Sequence, residues 1–117
     1  MQAAVSHLQA AKVAIIPTDT VYGIGALASD AHAVAQVLAA KGRGRQMPPP
    51  VLVSDICQLD GVVANIPAPA RALMEAYWPG ALTLILPAHP DLSWDLGETG
   101  GTVAVRQPNY PLTLQLL

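Results

Sequence analysis

Phenylalanine is absent from this chain, and only two tryptophans and three tyrosines are present. A core must therefore be assembled from Ala, Val, Leu and Ile, whose small side chains imply thin, closely packed layers. Charge is scarce as well: 12% of residues are charged and 52% are hydrophobic, a balance that excludes a solvated, disordered chain. With a net charge of −2 the protein lacks the strongly basic surface that sequence-independent nucleic-acid binding requires, so any RNA contact must be local. The single cysteine, Cys57, excludes a disulfide framework or a Cys-based zinc site within the chain and makes the cytoplasm the expected compartment. His7, His32 and His89 have no ligand-spaced partners, which argues against a histidine metal site. No apolar run approaches the roughly 18 residues that span a bilayer, so a soluble protein with no membrane partner is expected. Neither G-x-S-x-G nor the Walker G-x-x-x-x-G-K-[ST] sequence occurs, which removes support for covalent hydrolase and P-loop chemistry.

What is present reads as alternating helices and strands. The 117 residues fit one domain. Ala3, Ala4, Leu8 and Ala11 recur at helical spacing ahead of the β-branched run Val13 to Ile16, which Pro17 closes. A loop is expected from Thr18 to Leu27. Asp30 then offers an N-cap for a helix over Ala31 to Ala40, with Val34, Val37 and Leu38 on its apolar face and Gly42 at its end. Lys41 to Pro50 is a Gly, Arg and Pro stretch leading into the short strand Val51 to Val53, and Pro48-Pro49-Pro50 reads as a stiff loop exit. Pro67 or Pro69 opens a helix to about Tyr77, and Trp78-Pro79-Gly80 forces a turn. Strands follow at Leu82 to Leu86 and Thr102 to Val105, and Pro111 starts a last helix. This alternation predicts a layered α/β arrangement with a partly parallel sheet and helical cover.

Three segments hold residues suited to chemistry. Gly23-x-Gly25-x-x-Ala28 matches a dinucleotide-binding turn, but six residues separate Gly23 from the strand and the helix begins only near Asp30, so the context does not support that site. The glycines suit a backbone that closely approaches another segment or a ligand. Pro17-Thr18-Asp19-Thr20-Val21-Tyr22 places two hydroxyls, a carboxylate and a phenol directly after a buried strand, where open sheets present ligand contacts. The competing reading is a hydroxyl-capped turn in which Asp19 bonds the local backbone. Half of the six basic residues, Lys41, Arg43 and Arg45, fall within five positions with no acid between them. They read either as a solvated helix C-terminus, where cations favour the dipole, or as a phosphate or carboxylate site in which the glycines let the cations converge.

Taken in order, Pro17-Thr18-Asp19-Thr20-Val21-Tyr22-Gly23-Ile24-Gly25, Lys41-x-Arg43 with Pro48 and Val51-Leu52-Val53, Trp78-Pro79-Gly80-Ala81-Leu82-Thr83-Leu84-Ile85-Leu86, and Thr102-Val103-Ala104-Val105-Arg106 resemble the YrdC family. The resemblance implies an open, strongly twisted mixed β-sheet with helices packed on it and a concave, locally positive cavity. It also implies an activity: L-threonine, bicarbonate and ATP, with Mg²⁺, give threonylcarbamoyl-adenylate and pyrophosphate, and the product feeds threonylcarbamoylation of tRNA by threonylcarbamoyl-transfer proteins. By that similarity Lys41 and Arg43 are expected to be the catalytic cations facing ATP phosphates and the threonine carboxylate. Thr18, Thr20 and Tyr22 are expected to line the threonine and carbamate pocket, Thr83 to contact the nucleotide, and Arg106 to anchor a substrate anion.

Two departures accompany the resemblance. Met47 stands where family members often carry Lys, His or Asn, so one polar contact is either missing or supplied by Arg45. The family's Ser-x-Asn segment, which follows the helix begun at Pro111, does not occur before Leu117. The expectation is one YrdC-like domain over 1–117 lacking its C-terminal portion and, as it stands, with little synthase activity. Two other classes compete: a non-catalytic domain that cradles double-stranded RNA or tRNA, and a YrdC-like module of a carbamoyltransferase.

Overall fold

The computed structural model describes residues 1–117 as four helices and five short strands. Helix α1 spans Gln2–Gln9 and leads into β1, Ala14–Ile16, after Ala11 takes a left-handed turn at φ 63°. Strand β2, Gly23–Gly25, folds back on β1 in antiparallel register, Ile16 opposite Gly23 and Ala14 opposite Gly25. The expected loop over Thr18 to Leu27 is corrected here. A Gly-Ile-Gly run has weak intrinsic strand character, yet its missing side chains leave the space that Ile16 fills, because a Cβ on Gly25 would lie 2.4 Å from Ile16 Cδ1.

Helix α2, Ala31–Ala40, begins as its sequence predicts: the Asp30 carboxylate accepts the Ala33 N–H at 3.0 Å. Its buried residues Ala33, Val34, Val37 and Leu38 form one stripe. At the other end the Gly42 N–H donates to Ala39 O and the Arg43 N–H to Leu38 O, a double closure that needs the left-handed φ of 65° at Gly42. The three-stranded sheet has the order β3-β5-β4, where β3 is Val51–Leu52, β4 Leu84–Pro87 and β5 Thr102–Arg106. β3 runs parallel to β5 and β4 antiparallel to it. The strands thus form a mixed sheet and a separate two-stranded ribbon instead of one continuous layer. Between β3 and β4 lie a 3-10 turn over Ile56–Leu59 and helix α3, Ala68–Tyr77.

The core joins these layers. Val51, Val103, Val105 and Leu86 from the sheet pack with Val34 of α2, Met74 of α3 and Trp78, whose indole N–H donates to Leu82 O at 2.8 Å. Strand alternation does the rest: Val103 and Val105 enter the core, while Thr102, Ala104 and Arg106 project to the opposite face. Helix α4, Pro111–Leu116, starts at its proline as predicted, and its buried Thr113 hydroxyl donates to Pro17 O at the end of β1. That bond ties the last helix to the base of the hydroxyl loop.

Candidate functional site

A cavity of about 590 Å³ opens between the ribbon, α2 and the β3–β5 side of the sheet. Its walls are mainly apolar: Ile16, Ile24, Val34, Val37, Val51, Leu52 and Trp94 all line it. Against this background stand few polar side chains, among them Thr18, Thr20, Lys41 and Arg106. Such a balance, an apolar hollow with a small number of placed polar groups, is the usual make-up of a small-molecule site.

The hydroxyl loop forms a capped turn and borders the cavity. Thr18 makes a hydroxyl-capped turn, donating to Val21 O at 2.6 Å and accepting from the Thr20 N–H at 3.3 Å, and it lines the cavity at the same time. Asp19 departs from the local role considered for it. Its Oδ1 pairs with Arg106 Nη2 and accepts the Asn109 N–H at 3.2 Å, both far along the chain. Arg106 also donates through Nε to Gly80 O at 2.8 Å and through Nη1 to Thr20 Oγ1 at 3.4 Å. Its side chain is 12% exposed and that of Asp19 20% exposed, so the pair is largely shielded. Tyr22, by contrast, is 77% exposed and lies outside the cavity lining; Val21 takes a place there instead.

The basic stretch divides. Lys41, the C-cap of α2, lines the large cavity and makes no ion pair. Arg43 lines a second hollow of about 200 Å³ on the other side of α2, together with Arg45 and Asp95. Arg45 grips Asp95 through two bonds, Nη1 to Oδ2 at 3.1 Å and Nη2 to Oδ1 at 2.8 Å. The hydrogen bond from Arg45, followed by the Gly97 N–H, holds the Asp95 carboxyl below its ordinary value, and the same bond raises Arg45. Arg45 O accepts the Glu98 N–H at 2.7 Å, and Gly97, at φ 104°, lies so close that a Cβ would sit 2.8 Å from that oxygen. Arg45 therefore staples its loop to residues 95–98 and does not reach the large cavity in place of Met47, which is half exposed. Thr83 is exposed just ahead of β4 and lines neither hollow.

Sequence reasoning missed both ion pairs. Asp19 and Arg106 are separated by 87 positions and Arg45 and Asp95 by 50, and no local spacing signals such partners. The one available hint was the shortage of cations: with six Lys and Arg in the whole chain, an Asp inside a hydroxyl-rich loop has few to meet. Magnesium finds no resident cage. The cavity lining holds no Asp or Glu, and no cluster of three or more His, Cys, Asp or Glu groups is placed to hold a metal.

Comparisons place this geometry among known proteins. The family model Sua5/YciO/YrdC, described as Telomere recombination, matches residues 6–117. A Mycobacterium tuberculosis relative, provisionally named a threonylcarbamoyl-AMP synthase, is 50% identical over 114 residues, which are 97% of this chain and 52% of the relative. The threonylcarbamoyl-AMP synthase of Bacillus subtilis is 44% identical over 115 residues, 97% of this chain and 33% of the relative. This chain thus spans about half the length, or less, of these curated relatives. The crystal structure of Pyrococcus abyssi Sua5 complexed with L-threonine superposes with a TM-score of 0.91 at 36% identity, covering 98% of this chain and 34% of that one. Escherichia coli YciO shares the fold, with a TM-score of 0.86 at 24% identity over 98% of this chain and 56% of that one.

Proposed function

This chain belongs to the Sua5/YciO/YrdC family, and from that premise we propose that its large cavity binds L-threonine and ATP to make threonylcarbamoyl-adenylate. The observation that carries the reading is the meeting of Lys41, Arg106 and the Thr18–Thr20 hydroxyls in one apolar hollow. The L-threonine complex of the Pyrococcus relative supports the choice of amino acid.

In the proposed reaction the threonine amine and bicarbonate condense to a carbamate with loss of water. A carbamate oxygen attacks the α-phosphorus of ATP, the bond from that phosphorus to the bridging oxygen breaks, and pyrophosphate leaves with the electron pair. No protein nucleophile is required, so positioning and charge stabilisation carry the rate. Lys41, an unpaired cation at the cavity wall, meets phosphate oxygens. Arg106, fixed in direction by its bonds to Gly80, Thr20 and Asp19, meets the threonine carboxylate. The apolar walls exclude water and strengthen both contacts. Magnesium supplies charge on the phosphates when it arrives with ATP. The adenylate then serves as the donor for threonylcarbamoylation of tRNA by partner proteins.

The test is a substrate-omission series. Calorimetry is expected to show L-threonine binding, and pyrophosphate release is expected only when L-threonine, bicarbonate and magnesium–ATP are all present. Release that ignores threonine, or a protein that binds neither threonine nor ATP, would overturn the reading.

A further inference from the structure

Asp19 is hydrogen-bonded to Arg106 of the cavity wall, and it does not line the cavity itself. Its Oδ1 serves two partners, the Arg106 guanidinium and the Asn109 N–H. A guanidinium has five N–H donors in a rigid plane. In Arg106 one donor is used by Gly80 O, one by Thr20 Oγ1 and one by Asp19. The plane is therefore pinned from Nε, Nη1 and Nη2, and the remaining donors stay available to an anion in the cavity that Arg106 lines.

We infer that Asp19 is a positioning residue: its carboxylate orients Arg106 so that the unused N–H groups receive the substrate carboxylate. This rests on the reading of the cavity as a threonine site. Two physical arguments favour orientation over direct contact. A carboxylate facing a substrate carboxylate would repel it, whereas one behind the guanidinium orders that group before binding and lowers the entropy lost when the ligand arrives. Shielding matters too: the pair is 12% and 20% exposed, so it is less screened than a surface bridge. Asp19 also neutralises Arg106, which leaves Lys41 as the excess cation of the lining and so separates a directional anion contact from a free positive charge.

The test compares Asp19→Asn and Asp19→Glu with wild type. Asp19→Asn keeps size and an acceptor oxygen but removes the charge. Two quantities are measured: protection of the Arg106 Nε–H from hydrogen exchange by ¹⁵N NMR, assigned with Arg106→Lys, and affinities for L-threonine and ATP by calorimetry. Asp19→Asn is expected to weaken threonine binding about tenfold, within the range seen for coupled residues in one hydrogen-bonded network. It should also reduce Nε–H protection while changing ATP affinity by less than about twofold, and Asp19→Glu should recover part of both losses. Unchanged protection with unchanged threonine affinity overturns the inference, as does a variant that loses threonine affinity, ATP affinity and melting temperature together, since that outcome reports general loosening. If wild type binds no L-threonine, the functional reading fails, and the Nε–H signal alone then decides whether Asp19 orients Arg106.

Discussion

The two ion pairs of this protein differ in the opposite sense from their geometry. Arg45–Asp95 has the better arrangement, two parallel bonds, but its side chains are 59% and 46% exposed. Arg106–Asp19 meets through a single carboxylate oxygen, yet it is largely shielded and each partner makes further hydrogen bonds, Arg106 to Gly80 and Thr20 and Asp19 to the Asn109 N–H. Exposed pairs gain little because water and salt screen them, whereas breaking a shielded pair leaves a charge without solvent or partner. Environment, more than bond count, therefore separates a pair that builds a site from one that pins a loop.

The largest effect should separate the two hollows by activity. Lys41→Ala is expected to lower threonine- and ATP-dependent pyrophosphate release about 100-fold, the scale of one lost charge-assisted contact, and Arg43→Ala by less than about threefold. Equal losses in a steady-state assay would mean that Arg43 turns from the second hollow into the first. Next comes stability. Arg106→Ala should destabilise the fold by about 2–3 kcal/mol, somewhat below the cost of breaking a fully buried pair, whereas Asp95→Ala should shift the urea midpoint only marginally. Similar midpoints for the two variants would erase the distinction drawn from burial.

How much of this was legible in sequence depends on the range of the interactions involved. Asp30 capping α2, Gly42 ending it and Pro111 opening α4 are local events, and the residue types announce them. The ribbon was not legible, because Gly23-Ile24-Gly25 has few strand-forming side chains and pairs with β1 where Gly25 leaves room for Ile16. Of the residues singled out from the motifs, Thr18, Thr20, Lys41 and Arg106 line the large cavity. Tyr22, Arg43 and Thr83 lie elsewhere. Motif order reports which segments meet; it does not report on which side of a helix end a given cation emerges.

Smaller effects probe the stapled loop. Gly97→Ala should cost about 1–2 kcal/mol, since alanine both disfavours φ of 104° and would press on Arg45 O; denaturant melts and limited proteolysis at residues 43–47 would register it. A neutral outcome would show that the loop is not held there. The smallest effect is pH-dependent. Asp95 lies below its ordinary value of 3.8 in the folded protein, so its contribution is present above that value and disappears as pH falls through the lowered one. The small melting difference between wild type and Asp95→Asn should vanish on acidification, and a difference that grew in acid would have the wrong sign.

The alternation of β5 has a consequence for any saturation-mutagenesis map of this protein. Val105, 0% exposed, is joined by one peptide bond to Arg106 and occupies the opposite face of the same strand. A larger or smaller side chain at 105 would shift the strand and, with it, the guanidinium next door. Position 105 would then score as intolerant in a growth-based screen and be grouped with ligand contacts, although it meets only the core. Tolerance scores around this strand thus record the stiffness of the scaffold together with the chemistry, and only a paired measure of abundance and turnover would assign each position to its proper cause.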